Sequence, residues 1–171
     1  MTHVHDIAPP QDSVLARVAA DEHVFADAYR CDAGRPVALP ALIDAFYRTP
    51  LFRVERAFLR LFARVNTTDE QVAQLADGRA DRFAVWRVVH RHPKREIYLR
   101  DRSGRTASWL AVDETGGLYF GSAVYPVTSR NGKRRMGILF WALLGFHRWY
   151  SRALLRAASR RLSAPGQGRA L

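Results

Sequence analysis

The side chains able to do chemistry are few and scattered. His90-x-His92 puts two imidazoles at alternate positions near a strand end, which would share one face. Two ligands fall short of the three that a catalytic zinc needs, and no third His, Cys, Asp or Glu has a committing spacing. His3-x-His5-Asp6 lies in a polar arm, and Cys31 stands alone without the local signature of a nucleophile. Ser122 sits in GSAVY, which lacks the G-x-S-x-G elbow of a hydrolase. There is no G-x-G-x-x-G, no P-loop and no zinc-finger spacing. In the region rich in strand pattern the carboxylates are Glu96, Asp101, Asp113 and Glu114, three of them at turns. No catalytic residue, metal or cofactor is expected, and the balance points away from an enzyme.

A binding surface is better represented. Alternation puts Tyr98 and Arg100 on one face of a strand, Trp109 between Ala107 and Ala111 on the next, and Tyr119 beside Gly121 and Ala123 on a third. Large aromatics next to Gly and Ala leave room for a ligand, and interlocking core packing gives the same pattern. His147 falls at the edge of a helical apolar stripe, one turn from Leu143 and Tyr150. It is either a satisfied core histidine or a ligand contact. The expected ligand-binding set is Tyr98, Arg100, Trp109, Tyr119, His147 and Tyr150, with Arg100 meeting an anionic group.

These residues must be carried by an α+β frame. Residues 1–22 read as an arm with a short helix around Val14–Ala20, and HVFADAYRC (23–31) alternates as a first strand. Pro40 to Tyr47 suits a helix, Thr49-Pro50 opens a second running to Val65, and NTTDE caps a short third that Gly78 ends. From Phe83 the period becomes two. FAVWRVVH, REIYLRD, RTASWLAV and GLYFGSAVYPV are separated by short turns, which imply an antiparallel meander. Residues 135–162 make one long helix with a stripe of Leu139, Leu143, Phe146, Tyr150, Ala153 and Ala157. The fold class is therefore α+β: N-terminal helices, an antiparallel meander and a long C-terminal helix on the sheet. One domain spans 23–162, and 163–171 reads as a disordered tail.

Charge adds a second candidate surface. The 27 Lys+Arg outnumber the 16 Asp+Glu, for a net charge of +11. The excess is not spread evenly, because residues 115–171 hold ten basic residues and no acid. Trp141 and Trp149 project onto the arginine side of the last helix. Arg134, Arg135, Trp141, Arg148, Trp149, Arg152 and Arg156 form the expected surface for an anionic membrane or acidic partner. A tryptophan packed under the arm or stacked on an arginine is the alternative. Nucleic acid is disfavoured, since no recognised motif accompanies the basic residues. A lone cysteine, no signal pattern and no apolar run of membrane-spanning length suggest a reduced, cytoplasmic setting, with the inner-membrane surface also open.

The blocks FYRTPLFRVERAFLRL, GRTASWLAV, LYFGSAV and LLGFHRWYSRALLRAA resemble a family of bacterial proteins carrying a domain-of-unknown-function label, over about residues 23–162. The element order resembles the helix-grip, START-like superfamily. That resemblance implies a curved antiparallel sheet wrapped on a C-terminal helix around an apolar cavity. It implies a lipid, quinone or polyketide-like ligand, and some members are cyclases or hydrolases. The chain departs from the pattern in showing five readable strands where six or seven are usual. The leading expectation is thus a non-enzymatic domain binding an apolar or amphipathic small molecule between sheet and C-terminal helix. The alternatives are docking through the basic helix and a helix-grip enzyme. Oligomeric state is not legible.

Overall fold

The structure, a computed structural model, describes residues 3–53, 67–128, 134–135 and 138–163, with the backbone alone for 127–128, 134–135 and 138–144. The elements are β1 (His5–Ile7), α1 (Val14–Ala19), β2 (Phe25–Asp32), α2 (Leu39–Tyr47) and α3 (Asp69–Ala76). β3 (Arg82–Phe83), β4 (Trp86–His92), β5 (Glu96–Asp101), β6 (Thr106–Val112) and β7 (Gly117–Val124) follow, then β8 (Val127–Thr128), β9 (Arg134–Arg135) and α4 (Ile138–Ser163). Seven strands form one antiparallel sheet in the order β1-β2-β7-β6-β5-β4-β3, and β8 and β9 pair separately. The α+β class and the long C-terminal helix on the sheet agree with the sequence pattern.

Local chemistry explains most boundaries. Thr68 caps α3 reciprocally with Gln71, two otherwise orphaned N–H groups finding side-chain acceptors. Residues 50–53 are helical, and the Phe52 N–H donates to Thr49 Oγ1 at 3.1 Å. The remainder of the helix expected over 49–65, from 54 onward, lies outside the described residues, as does 164–171. The β6–β7 turn needs Gly116, whose φ of +99° and approach to the Arg35 backbone leave no room for a Cβ.

Four short strands, β1, β3, β8 and β9, escape the sequence pattern. β1 pairs with β2 over only three residues, too few to show a period, so the arm is a sheet edge at His5–Ile7. β3 is a two-residue pairing with β4. β4 itself carries a bulge between Val88 and His90. The extra residue reverses the pleat, so Trp86 and Val88 pack with the core under the helices while His90 reaches Glu96 on the opposite face.

Both faces of the sheet are covered. On one, Tyr29, Cys31, Ile97, Leu99, Leu110, Val112, Leu118 and Phe120 meet α2, α3 and α4. On the other, Ala28, Tyr98, Ala107, Trp109, Ala111 and Ala123 meet Leu15 of α1. The opposed residues alternate along each strand, as the pleat requires. The buried face of α4 is Ser151, Leu154, Leu155, Ala158 and Ser159. That is about one residue round the helix from the expected stripe, and Phe146 of that stripe is 61% exposed. Ser151 and Ser159 caused the misreading: they are small enough to let the helix lie close on the sheet, and their polarity hides them from a hydropathy pattern.

Candidate functional site

Four of the six expected ligand-binding residues are on the face away from α4. Tyr98 and Trp109 are buried under α1. The Trp109 indole N–H donates to Glu96 Oε2 at 2.8 Å, and Glu96 also accepts from the Val14 N–H at 3.1 Å. That carboxylate therefore ties the start of α1 to the sheet. The Tyr98 and Tyr125 hydroxyls are 2.8 Å apart. Among the described residues Arg100 meets no anionic group: its Nη2 donates to the Gly104 carbonyl at 2.7 Å, and its guanidinium lies 3.8 Å from the Tyr125 ring centre. Tyr119 donates to Asp113 Oδ2 at 2.7 Å and accepts from Arg30 Nε at 3.1 Å. Trp109 stands opposite Gly121 in the β6–β7 register, and Leu15 fills the space over that glycine. Packing and hydrogen bonds on that face engage all four side chains.

His147 and Tyr150, the other two, do line a cavity between sheet and α4. Its volume is about 230 Å³. Phe46 and Tyr47 of α2, Phe52, Trp86 of β4, Phe120 and Val124 of β7, and Leu154 of α4 supply the apolar wall. Thr106, Ser108, Ser122, His147 and Ser151 supply polar atoms. The aromatic part is itself interlocked, with Phe46 and Phe120 ring centres 4.7 Å apart and Tyr47 and Phe52 4.8 Å apart. Such contacts hold the wall in place without a ligand.

Behind the polar end lies a carboxylate. Asp27 projects from β2 on the helix-facing side, its side chain only 8% exposed. Ser122 is its cross-strand partner in β7, and the Ser122 hydroxyl donates to Asp27 Oδ1 at 2.6 Å. The Tyr29 hydroxyl donates to Oδ2 at 2.8 Å. His147 Nε2 is 2.8 Å from Ser122 Oγ and 3.5 Å from Asp27 Oδ2. Burial works against ionisation of Asp27, but the His147 ring beside it and the hydrogen bonds from Ser122 and Tyr29 outweigh it. Its carboxyl sits below the ordinary value of 3.8. Burial and the adjacent carboxylate push the Tyr29 phenol well above its usual range, so it stays a donor.

Proton accounting fixes the direction of these bonds. The ionised carboxylate only accepts, and a hydroxyl has one proton. At 2.6 Å from Asp27 Oδ1, Ser122 donates that proton to the carboxylate, so the bond from His147 must run Nε2–H to Ser122 Oγ. Ser, His and Asp are all present, but in a hydrolase triad the histidine takes the serine proton and the carboxylate holds the other ring nitrogen. Here the carboxylate holds the serine proton. Ser122 is an anchor, not an activated nucleophile.

The sequence pattern passed over Asp27 and Ser151. A signal existed for the first, because Phe25, Asp27, Tyr29 and Cys31 share one strand face, and an acid on an otherwise apolar face needs a partner. Ser151 is fully buried, lines the cavity, and its hydroxyl has no hydrogen-bond partner among the described residues. Nothing in its sequence position announces that.

The expected basic surface is divided. Arg148, Trp149 and Arg156 are exposed, Trp149 at 58%. Arg152 is half committed elsewhere, its Nε donating to Asp6 Oδ1 at 2.7 Å, which fastens α4 to β1. The side chains of Arg134, Arg135 and Trp141 lie outside the described residues. Among the described residues no three His, Cys, Asp or Glu side chains group as metal ligands. No helix among them is long and apolar enough to cross a membrane. Comparison with protein-family models, curated proteins and solved structures finds no match to this chain.

Proposed function

We propose that the chain binds a small, largely apolar molecule bearing one or two oxygen atoms, held between the sheet and α4. The observation that carries this is the cavity with an aromatic wall and one polar end, where Ser122 and His147 are held by the buried Asp27. Apolar lining with a few fixed polar groups is the usual make-up of a small-molecule site. The volume of about 230 Å³ lies under the roughly 300–1,000 Å³ of sites for drug-sized molecules, which favours a one- or two-ring compound or a short chain over a whole diacyl lipid. The strand order, with β7 returning beside β2, and the C-terminal helix on the sheet support the helix-grip resemblance. That resemblance is to a frame, and function is argued from the site.

The test is calorimetric titration with 2-naphthol and with naphthalene, which differ by one hydroxyl. The expected result is one 2-naphthol site per chain, weaker binding of naphthalene, and loss of both in Ser151→Leu, whose side chain fills the cavity. Equal 2-naphthol binding by a folded Ser151→Leu protein refutes the assignment.

Exposed aromatics on α4 favour a second reading, docking on an anionic membrane. Phe146 and Trp149 are 61% and 58% exposed, their ring centres 5.8 Å apart, with Arg148 between them in sequence. Aromatics next to cations suit a lipid interface, and each basic residue near an anionic surface contributes about 1 kcal/mol. Sedimentation with phosphatidylserine-containing vesicles should fall steeply with salt and drop in Trp149→Ala. Retention that is equal on neutral vesicles contradicts it.

A further inference from the structure

We infer that His147 is a proton-transfer catalyst for a carbonyl compound bound in this cavity, an activity that rests on the binding reading above. Three observations meet at one wall. His147 Nε2–H is committed to Ser122 Oγ, and Ser122 in turn to Asp27. In the neutral imidazole the lone pair is then on Nδ1, and Nδ1 is the base. The Asp27 carboxylate, 3.5 Å from Nε2, favours the imidazolium that forms when Nδ1 takes a proton. Finally, Ser151 stands four residues on, on the same side of α4 and lining the same cavity, with a buried hydroxyl that has no partner among the described residues. A buried donor without an acceptor costs free energy, and a ligand oxygen at that position removes the cost.

A base and an unused hydrogen-bond donor on one apolar wall are the parts that enolisation requires. Nδ1 takes the proton from the carbon next to the ligand carbonyl. The C–H electron pair becomes the C=C bond, and the carbonyl π pair moves onto oxygen, where the Ser151 hydroxyl donates to the enolate. The imidazolium, on a ring 34% exposed to water, exchanges that proton with solvent and then delivers one to the same carbon, or to the far carbon of a conjugated enolate, which shifts the double bond. Nothing is oxidised or reduced, and no co-reactant is consumed. His147 is the catalytic residue, Ser151 the oxyanion donor, and Asp27 a positioning residue acting through Ser122 and His147.

The probe is 2-tetralone, a two-ring ketone with acidic C–H groups beside its carbonyl, followed by proton NMR in deuterated buffer. The full chain should speed exchange of those hydrogens roughly 10²–10⁴-fold over an equal concentration of free imidazole, the range of positioned acid–base groups. His147→Gln should abolish the acceleration, and Ser151→Ala should slow exchange about 10²-fold. Asp27→Asn separates positioning from mere structure, because it should slow turnover of bound 2-tetralone more than it weakens its binding. Bound 2-tetralone, seen as amide shifts at Ser122 and Ser151, with no accelerated exchange overturns the catalytic role and leaves the binding reading standing. Acceleration that persists in His147→Gln overturns the assignment of the base. Absence of 2-tetralone binding together with absence of 2-naphthol binding overturns both.

Discussion

Replacing Asp27 by Asn is the substitution with the most definite energetic consequence. The carboxylate accepts hydroxyl protons from Ser122 at 2.6 Å and Tyr29 at 2.8 Å and faces His147 Nε2 at 3.5 Å. Asparagine matches its shape but has one accepting oxygen, and its amide nitrogen would face one of those two donors. A hydrogen bond to a charged group is worth about 1.5–3 kcal/mol, and a buried donor left without an acceptor costs about 1–3 kcal/mol. The His147 contact adds less, since that ring is 34% exposed to water. The sum is about 3 kcal/mol at pH 7, or about 6–12 °C in Tm for a chain of this size. Acidity supplies the control. The folded carboxyl lies below the ordinary 3.8, so its contribution is complete above that value and is lost as pH falls through the lower, folded-state value. Urea unfolding of both proteins at pH 7, and again in steps below pH 4, should show the gap closing in acid. A variant within about 0.5 kcal/mol of the parent at pH 7, or a gap that widens in acid, refutes this account of the polar end.

Other expectations concern the opposite face and the lone thiol. A Cβ on Gly121 would lie 2.7 Å from the Asp27 carbonyl oxygen and 3.0 Å from Trp109 Cε3, and would also overlap Leu15. Gly121→Ala should therefore cost about 1–3 kcal/mol in urea unfolding, and a neutral result means that α1 does not seat on the sheet as described. Cys31 is 1% exposed, and burial pushes its thiol up to about 11. It should stay unmodified by Ellman's reagent at pH 8 until denaturant is added, and immediate labelling of the native protein contradicts its place in the core.

The frame was legible where the periods were long. Four meander strands, the first strand and the C-terminal helix each run six residues or more with matching turn or cap chemistry, so local and tertiary preferences agree. β1 and β3 were hidden because two or three residues carry no period and owe their extended form to a neighbour distant in sequence. Periodicity could assign Tyr98, Trp109 and Tyr119 to a shared face of the sheet, but not to a side of it. Which face meets α4 depends on tertiary packing, and that choice placed these three and Arg100 on the opposite face instead of in the cavity. On α4 the hydropathy pattern misled by about one residue because serines at 151 and 159 face the core.

The helical period puts His147 at the edge of an apolar stripe and Tyr150 within it, and both line the cavity. Their partners were harder to see. Asp27 and Ser122 are 95 residues apart, and only the β2–β7 register makes them neighbours. An acid on an apolar strand face was the available clue, and it asked for a partner without naming one.

The central claim is that the small-molecule site lies between the sheet and α4, with its polar end at Asp27, Ser122 and His147. Its most direct test is a 15N-edited NMR titration of the full chain with 2-naphthol. The account predicts saturating amide shifts at Ser108, Ser122, His147 and Ser151, with little change at Val14, Leu15 and Gly104. Shifts centred on α1 and the Trp109 face, or no saturable shifts at all, contradict it.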